Sequence, residues 1–157
     1  MGVVSRAMLA FALIFAATPV DAQPDTDTKA IEAVFADYVE GLAEGDLARL
    51  SNAFSPEGVF VFVDAAQNGK TTVVSRPFKN ELASWAANPD PTVSGRITGV
   101  AIQNDFMASI QAELDYGTDR YEDNLLLYKL EERWKIVAKT TYARDRPGNS
   151  TPTTDKD

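Results

Sequence analysis

Two residue types are missing from the 157-residue chain, which contains no cysteine and no histidine. Without cysteine the protein forms no disulfide and cannot be a lipoprotein, so its stability must come from a hydrophobic core. Zinc, copper and haem sites depend on imidazole or thiolate ligands, and the chain therefore lacks these sites, His-based triads and cysteine nucleophiles. Acid–base chemistry must use aspartate, glutamate, tyrosine, lysine or arginine, and we expect no metal and no cofactor.

Positive charge is also scarce, since 15 lysines and arginines face 23 aspartates and glutamates and give a net charge of −8. Nucleic acids and anionic lipid surfaces attract clusters of lysine and arginine. The acidic balance therefore predicts that neither is a partner. The length suits one domain with one core and is too short for two domains.

The longest apolar run lies near the N-terminus, over residues 7–17. Arg6 precedes this run, Thr18-Pro19 ends it, and small residues stand just before Gln23. This is the pattern of a signal peptide over residues 1–22. The run is too short to be a membrane anchor, which needs about 20 apolar residues. We therefore expect an exported protein, periplasmic or secreted, with no membrane insertion after cleavage.

Residues 23–28 are polar and aperiodic, so we interpret them as a linker before a domain over residues 29–143. Residues 144–157 contain no large apolar residue and are predicted to be a disordered tail. Within the domain, helical spacing predicts a first helix from about Thr28 to Leu42. A second helix is capped by Asp46 and stopped by Ser55-Pro56, and a third covers residues 76–87.

Alternating apolar residues predict strands in the remainder of the domain, at residues 58–64, 71–75, 96–103, 106–116, 121–131 and 133–142. An Asn68-Gly69 turn joins the first two strands. Two sets of alternating residues are each expected to share a face: first Phe106, Ala108, Ile110, Ala112 and Leu114, and then Trp134, Ile136 and Ala138. The alternation of Lys129, Lys135 and Lys139 with apolar residues fits a solvated sheet face at least as well as a binding patch. Helices followed by antiparallel strands predict an α+β fold with the helices on one face of the sheet.

A motif at the second helix, Tyr38-x-x-Gly41-x-x-x-Gly45-Asp46-x-x-x-Leu50-x-x-x-Phe54-x-Pro56, resembles the nuclear transport factor 2-like superfamily. The chain is most similar to its SnoaL-like and "putative lumazine-binding" groups. Asp123-x-Leu125-x-Leu127 and the segment from Trp134 to Lys139 add to the resemblance, which covers residues 28–142. It implies a cone-shaped α+β barrel, with three helices on a strongly curved, mostly antiparallel sheet. It also implies a pocket at the wide end and a homodimer formed through the outer sheet face.

Asp123 is the first candidate site residue, because alternation places it on one strand face with Leu125 and Leu127. Apolar surroundings raise the pKa of a carboxylate, which suits a general base or a hydrogen-bonding anchor. The alternative is a solvated or paired aspartate near a strand end, with Lys139, Thr140 or Arg120 as its partner. Catalytic relatives implied by the resemblance, such as scytalone dehydratase and ketosteroid isomerase, use His–Asp or Tyr–Asp constellations. Only the Tyr–Asp type is available to this chain.

Aromatic residues complete the candidate site. Tyr38 lies on the apolar face of the first helix, where its phenol either points into the pocket or packs in the core. Trp85 and Phe62 either wall a cavity for a flat ligand or belong to the core. Tyr142 and Tyr121 are further candidates from strand ends. The expected ligand-binding set is Tyr38, Phe62, Trp85, Asp123, Leu125 and Tyr142.

Three functions are compatible with these residues. The first is an exported domain that holds a small apolar or aromatic molecule without metal or redox chemistry. The second is a cofactor-independent isomerase, dehydratase or cyclase, with Asp123 as the base and Tyr38 or Tyr142 as a hydrogen-bond donor. The third is an interaction module in which the open sheet face binds another protein.

Overall fold

The computed structural model describes residues 23–65, 71–117 and 119–144. Three helices cover α1 Gln23–Glu44, α2 Leu47–Ala53 and α3 Phe78–Ala87. Six strands cover β1 Phe54–Ala65, β2 Thr71–Pro77, β3 Ser94–Asn104, β4 Met107–Asp115, β5 Arg120–Leu130 and β6 Arg133–Arg144. The predicted signal peptide, the Asn68-Gly69 turn and residues 145–157 of the predicted tail lie outside the described residues.

The six described strands form one curved, unclosed sheet in the order β2-β1-β6-β5-β4-β3. Neighbouring strands are antiparallel except β1 and β6, which run parallel. The three helices pack on this sheet, and their buried faces meet its inner side in one hydrophobic core. The predicted α+β fold, with three helices on a curved and mostly antiparallel sheet, is confirmed. None of the helices in the described ranges is long and apolar enough to cross a membrane.

Helix α1 begins at Gln23, so the residues predicted to be a linker are its first turns. Asp27 explains why this polar stretch is ordered, because its side chain is buried against the β5–β6 hairpin. The indole nitrogen of Trp134 donates to Asp27 Oδ1 at 3.0 Å, and Lys129 Nζ lies 2.7 Å from the same oxygen. The hydrogen bond from Lys129 is the main cause that lowers the pKa of Asp27. The linker prediction was wrong because these partners are distant in the sequence.

The junction of α1 and α2 follows the predicted capping pattern. Gly45 has a φ of +71°, a left-handed conformation that glycine adopts without strain. Asp46 is the N-cap of α2, and its carboxylate accepts from the backbone nitrogens of Ala48 at 2.8 Å and Arg49 at 3.1 Å. The cap therefore supplies the acceptor for two of the backbone donors that a helix start leaves unsatisfied.

The inner face of β4 is buried from Ala108 to Leu114, as the alternation predicts, but Phe106 is 62% exposed. Phe106 lies in the β3–β4 turn rather than in β4. The Asn104 side chain accepts from the backbone nitrogens of Phe106 and Met107, each at 2.9 Å. This Asn-centred turn removes Phe106 from the buried face, which corrects the prediction.

Strand β6 changes face along its length because of a β-bulge at Val137. Leu127 pairs with Ile136 and Leu126 pairs with Ala138, so Val137 is an extra residue without an opposite partner. Before the bulge, Trp134 and Ile136 are buried; after it, the buried position is Lys139. The bulge corrects the prediction that Ala138 continues the buried face. Of the two alternatives for Lys139, it excludes the solvated surface.

Candidate functional site

A cavity of about 310 Å³ lies between the helices and the inner face of the sheet. Helices α1 and α3 contribute one side, the ends of β4 and β5 another, and β1 and β6 the third. The lining residues are Tyr38, Leu42, Phe60, Ser84, Trp85, Asn88, Asp90, Leu114, Tyr116, Tyr121, Lys139 and Thr141. The cavity therefore combines aromatic walls with a few polar groups, which is the usual composition of a small-molecule site.

The floor of the cavity is organised by the Asp123 network, which consists of Asp123, Tyr38, Lys139 and Thr141. The Tyr38 hydroxyl donates to Asp123 Oδ2 at 3.0 Å, and Thr141 Oγ1 donates to Oδ1 at 2.6 Å. Lys139 Nζ forms an ion pair with Oδ2. The Asp123 side chain is fully buried behind its three partners, and both of its oxygens are occupied. The partners, rather than the carboxylate itself, face the cavity.

Lys139 is the buried cation of this network. Its Nζ lies 5.5 Å from the ring centroid of Tyr38 and 5.4 Å from that of Phe60, close enough for cation–π attraction. Burial lowers the pKa of the Lys139 amine, while the neighbouring Asp123 carboxylate acts in the opposite direction. The amine therefore sits in apolar surroundings with a single carboxylate for charge compensation.

Two phenols remain protonated at neutral pH and can act as donors. Burial is the main cause that raises the pKa of Tyr38 and of Tyr116, and the negative charge of Asp123 raises both further. Tyr116 packs edge-on against Tyr121, with ring centroids 5.2 Å apart. Over the residues that the structure describes, neither the Tyr116 nor the Tyr121 hydroxyl forms a hydrogen bond with the protein. Both hydroxyls are therefore free to bind a ligand.

Trp85 forms part of the aromatic wall, and polar residues follow it at the rim. Its ring meets Phe60 edge-on with centroids 5.8 Å apart, at an interplanar angle of 77°. Asn88 Nδ2 donates to the Ser84 carbonyl at 2.8 Å, and Asp90 Oδ1 accepts from Thr92 Oγ1 at 2.6 Å. Hydrogen bonds from Thr92 lower the pKa of Asp90. The rim thus holds an ionised carboxylate at neutral pH, while the interior is largely aromatic.

The structure brings together only part of the predicted site. Tyr38 and Trp85 line the cavity, as does Tyr121, and Asp123 lies directly behind its floor. Three other candidates do not line it. Leu125 is packed in the core, Phe62 stacks on Phe60 beneath the Arg76 guanidinium, and Tyr142 is 67% exposed. Tyr142 faces outward because Thr141, its neighbour in β6, faces inward.

The sequence-based candidates include three of the twelve lining residues, Tyr38, Trp85 and Tyr121. Phe60 and Tyr116 are among the residues that were missed, and Lys139 was named only as a possible partner of Asp123. Tyr116 follows Leu114 by two residues, and extending the alternation of β4 by one step would have placed it inward. Both faces of β1 carry apolar residues near Phe60, so the alternation did not show to which side of the sheet the Phe60 ring points. The Val137 bulge conceals Lys139, because simple alternation from Trp134 places it outward. Of these three residues, only Lys139 has no signal in the neighbouring sequence that would show its inward direction.

No group of three or more Asp or Glu side chains that could hold a metal ion occurs within residues 23–65, 71–117 and 119–144. The interior of the cavity offers one amine, several hydroxyls and aromatic ring faces, and the rim adds the Asn88 amide and the Asp90 carboxylate. These groups can hold a flat molecule and donate hydrogen bonds to one of its oxygens or nitrogens.

Three helices on a curved, unclosed sheet that encloses a cavity define the nuclear transport factor 2-like fold class. Residues 26–142 match the sequence family described as "Putative lumazine-binding". The chain belongs to that family. A search of curated proteins finds no match.

Solved structures agree on the fold. An NTF2-like protein of unknown function from Shewanella baltica is 23% identical, with a TM-score of 0.67, over 80% of this chain and 100% of that one. An NTF-2 like protein of unknown function from Silicibacter pomeroyi is 22% identical, with a TM-score of 0.65, over 77% and 98%. A ketosteroid isomerase-like protein from Erwinia carotovora atroseptica is 17% identical, with a TM-score of 0.52, over 75% and 96%. At these identities the similarity establishes the fold alone.

Proposed function

We propose that the protein binds a small, flat, largely apolar or aromatic molecule in the cavity, without metal or redox chemistry. The observation that carries this proposal is the combination of aromatic walls, from Phe60, Trp85 and Tyr121, with a polar floor. A volume of about 310 Å³ suits a molecule of one or two fused rings. The rings would pack between the walls, and a polar substituent would reach the hydroxyls and the amine at the floor.

The family description supports the same kind of ligand. Lumazine is a two-ring heteroaromatic molecule with carbonyl oxygens, and the cavity offers both ring faces and hydrogen-bond donors. The description supplies a first probe and does not identify the natural ligand. We therefore propose lumazine and the unrelated two-ring compound 2-naphthol as test molecules.

Binding can be followed through the fluorescence of Trp85. The chain has two tryptophans, of which Trp85 lines the cavity and Trp134 is buried beside Asp27. A Trp134→Phe variant leaves Trp85 as the sole reporter. We expect saturable quenching by at least one probe, with a Kd below about 1 mM, equivalent to roughly 4 kcal/mol of binding free energy. Absence of saturable quenching with both probes, together with no heat in calorimetry, would contradict the proposal.

A matched pair of substitutions on α3 locates the binding site. Ser84 lies at the mouth of the cavity, whereas the neighbouring Ala83 is exposed and does not line it. We expect Ser84→Trp to obstruct the mouth and weaken binding at least tenfold. Ala83→Trp places the same bulk one residue away and should leave the affinity unchanged. Equal effects from the two variants would place the binding site elsewhere.

A proton-transfer enzyme is the second candidate function. The contact between the Tyr38 phenol and the Asp123 carboxylate favours it, because this pair can stabilise a developing oxyanion or relay a proton. The complete burial of Asp123 makes it a weak candidate for a base that touches substrate directly. Turnover of an added substrate that is lost in Asp123→Asn, with the fold intact, would favour this function over simple binding.

Export and self-association are further proposals that rest on other parts of the chain. The N-terminal pattern supports cleavage before Gln23 and transport to the periplasm or the medium. N-terminal sequencing of protein from the producing cell tests this directly. A homodimer through the outer sheet face is supported by the exposed apolar side chains of Val63, Val73 and Tyr142. Sedimentation analysis of the wild type and of Val73→Lys tests the dimer, which should weaken in the variant.

A further inference from the structure

We propose that Lys139 is a reactive amine that captures small aromatic aldehydes or ketones as an imine inside the cavity. This inference rests on the proposed function, since the carbonyl compound must first bind between the aromatic walls. It goes beyond binding because it assigns a covalent role to one side chain and names the substrate class.

The placement of Lys139 distinguishes it from the other described lysines on the sheet. All three lysines have partners, but Lys129 lies beside Asp27 and Lys135 Nζ donates to the Ser51 carbonyl at the end of α2 at 2.9 Å, both outside this cavity. Lys139 is the only lysine among the described lining residues. Its side chain is 7% exposed, and that exposure opens into the cavity. A bound ring system would therefore bring its substituent against this amine.

The surroundings of the amine favour nucleophilic attack. An exposed lysine, with a pKa near 10.4, is only about 0.04% unprotonated at pH 7, and each unit by which the pKa falls raises this fraction about tenfold. Burial lowers the pKa of Lys139 despite the neighbouring carboxylate. Desolvation of a lysine in an apolar pocket is a general way to activate it toward carbonyl carbons. Asp123 Oδ2, in contact with Nζ, is placed to accept the proton that the ammonium must lose.

The proposed step is balanced without any other reactant. The Nζ lone pair attacks the carbonyl carbon, a C–N bond forms as the C=O π bond breaks, and a proton passes from the nitrogen to the oxygen to give a carbinolamine. The nitrogen lone pair then expels the hydroxyl group, which leaves as water with the proton that Asp123 had accepted, returned through the Tyr38 hydroxyl. A C=N bond remains, one water molecule is released, and nothing is oxidised or reduced. Hydrolysis reverses the step, so the capture is reversible.

A purely structural role for Lys139 makes a different prediction. If the ammonium only neutralises Asp123, it stays protonated and bonded, and it should react more slowly than exposed lysines. Lys79 on α3 is exposed and serves as the internal reference for an ordinary surface amine. The ratio of labelling at Lys139 to labelling at Lys79 therefore separates the two roles within a single sample.

The experiment uses the folded protein with one equivalent of 2-naphthaldehyde at pH 7 and sodium cyanoborohydride to trap the imine. Peptide mass spectrometry then locates each adduct, which adds the mass of the aldehyde plus two hydrogens less one water. We expect at least ten times more label on Lys139 than on Lys79. Label on Lys139 equal to or below that on Lys79 would overturn the proposal.

Two variants test whether the label depends on the Lys139 amine and on access to the cavity. Lys139→Arg keeps a cation beside Asp123 but has no primary amine, and it should lose the enriched label while Lys79 labelling persists. Ser84→Trp keeps Lys139 intact and obstructs the cavity, so it should lower labelling of Lys139 at least tenfold without changing Lys79. Unchanged Lys139 labelling in Ser84→Trp would show that the amine reacts without cavity binding, and this would also refute the proposal.

A parallel titration with 2-naphthol separates this proposal from the proposed function. The alcohol has the same rings and cannot form an imine. Binding of 2-naphthol without enrichment on Lys139 would overturn the imine proposal alone. Failure of both binding and labelling would overturn both proposals, and enrichment that 2-naphthol competes away would support both.

Discussion

Substituting methionine for Lys139 removes the cation from the Asp123 network while it preserves most of the side-chain volume. Asp123 keeps its hydrogen bonds from Tyr38 and Thr141, but its charge remains buried without a compensating ion. Asp123 and Lys139 are both almost completely buried, so water replaces the lost partner poorly. The substitution therefore tests how much the fold depends on charge compensation at the cavity floor.

The expected cost of Lys139→Met is about 3–5 kcal/mol, the usual effect of removing one partner of a buried pair. The two retained hydrogen bonds favour the lower end of this range. Asp123→Leu should cost a similar amount, because it leaves the ammonium unpaired and two hydroxyls without their acceptor. The double variant should lose much less free energy of unfolding than the two single variants lose together, with a coupling energy of at least about 2 kcal/mol.

Urea denaturation followed by circular dichroism measures these free energies. With a slope of about 2 kcal/mol per molar urea, a loss of about 3 kcal/mol lowers the midpoint by roughly 1.5 M. The exposed pair of Arg96 and Glu113, with an N–O distance of 2.7 Å across β3 and β4, is the matched control. Arg96→Met should cost less than about 1 kcal/mol, because solvent screens an exposed pair.

Two outcomes would refute the reasoning. If Lys139→Met costs no more than Arg96→Met, the buried pair contributes nothing special to the fold. If the losses in the double variant simply add, the two side chains are not coupled, and the description of the cavity floor as one network is wrong.

Three other predictions concern single elements of the fold. A Cβ at Gly58 would lie 2.5 Å from the Val137 carbonyl and 2.7 Å from Phe78, so Gly58→Ala should lose about 1–3 kcal/mol in urea denaturation. A Cβ at Gly99 would have the flexible end of Gln111 as its nearest atom, at 3.2 Å, so Gly99→Ala should change the free energy of unfolding by less than about 1 kcal/mol. A larger loss in Gly99→Ala than in Gly58→Ala would contradict the packing. Asp46→Ala should lower the free energy of unfolding by about 0.5–2 kcal/mol, measured by thermal or urea unfolding. Asp46→Asn should lose much less, since asparagine retains the capping acceptor. Equal losses in the two variants would argue against the cap. The raised pKa of Tyr38 means that its contribution to stability is present below pH 10 and is lost as the pH rises further, because only the unfolded phenol ionises there. Phenolate absorbance of the folded protein should therefore be the same for wild type and Tyr38→Phe up to about pH 11, and an earlier difference would contradict the buried phenol.

Much of the fold follows from local patterns in the sequence. The Asp46 cap, the helical spacing of apolar residues and the alternation in β4 each depend on neighbours within a few positions. Local rules of this kind determine element type well. The start of α1 was mispredicted because Asp27 is held by Trp134, 107 positions away in the chain. No local rule contains that contact.

The candidate site was predicted less completely than the fold. Asp123 and one of the two donors named with it, Tyr38, were chosen from their faces and from the resemblance, and they are in hydrogen-bond contact. Tyr142 was assigned to the wrong side of β6, and the solvated alternative for Lys139 was wrong, for one reason. A single extra residue inverts every later assignment on a strand, and nothing in the amino acids around Val137 announces it.

The bulge at Val137 also divides β6 into two segments with separate tasks. The first segment anchors the molecule, since Trp134 and Ile136 are part of the packed interior. The second segment lines the cavity, since Lys139 and Thr141 face it. Substitutions before residue 137 should mainly alter folding, whereas inward substitutions after it should alter what the cavity accepts. In a strand built this way, the residues at one end can vary and reshape the cavity while the scaffold stays the same.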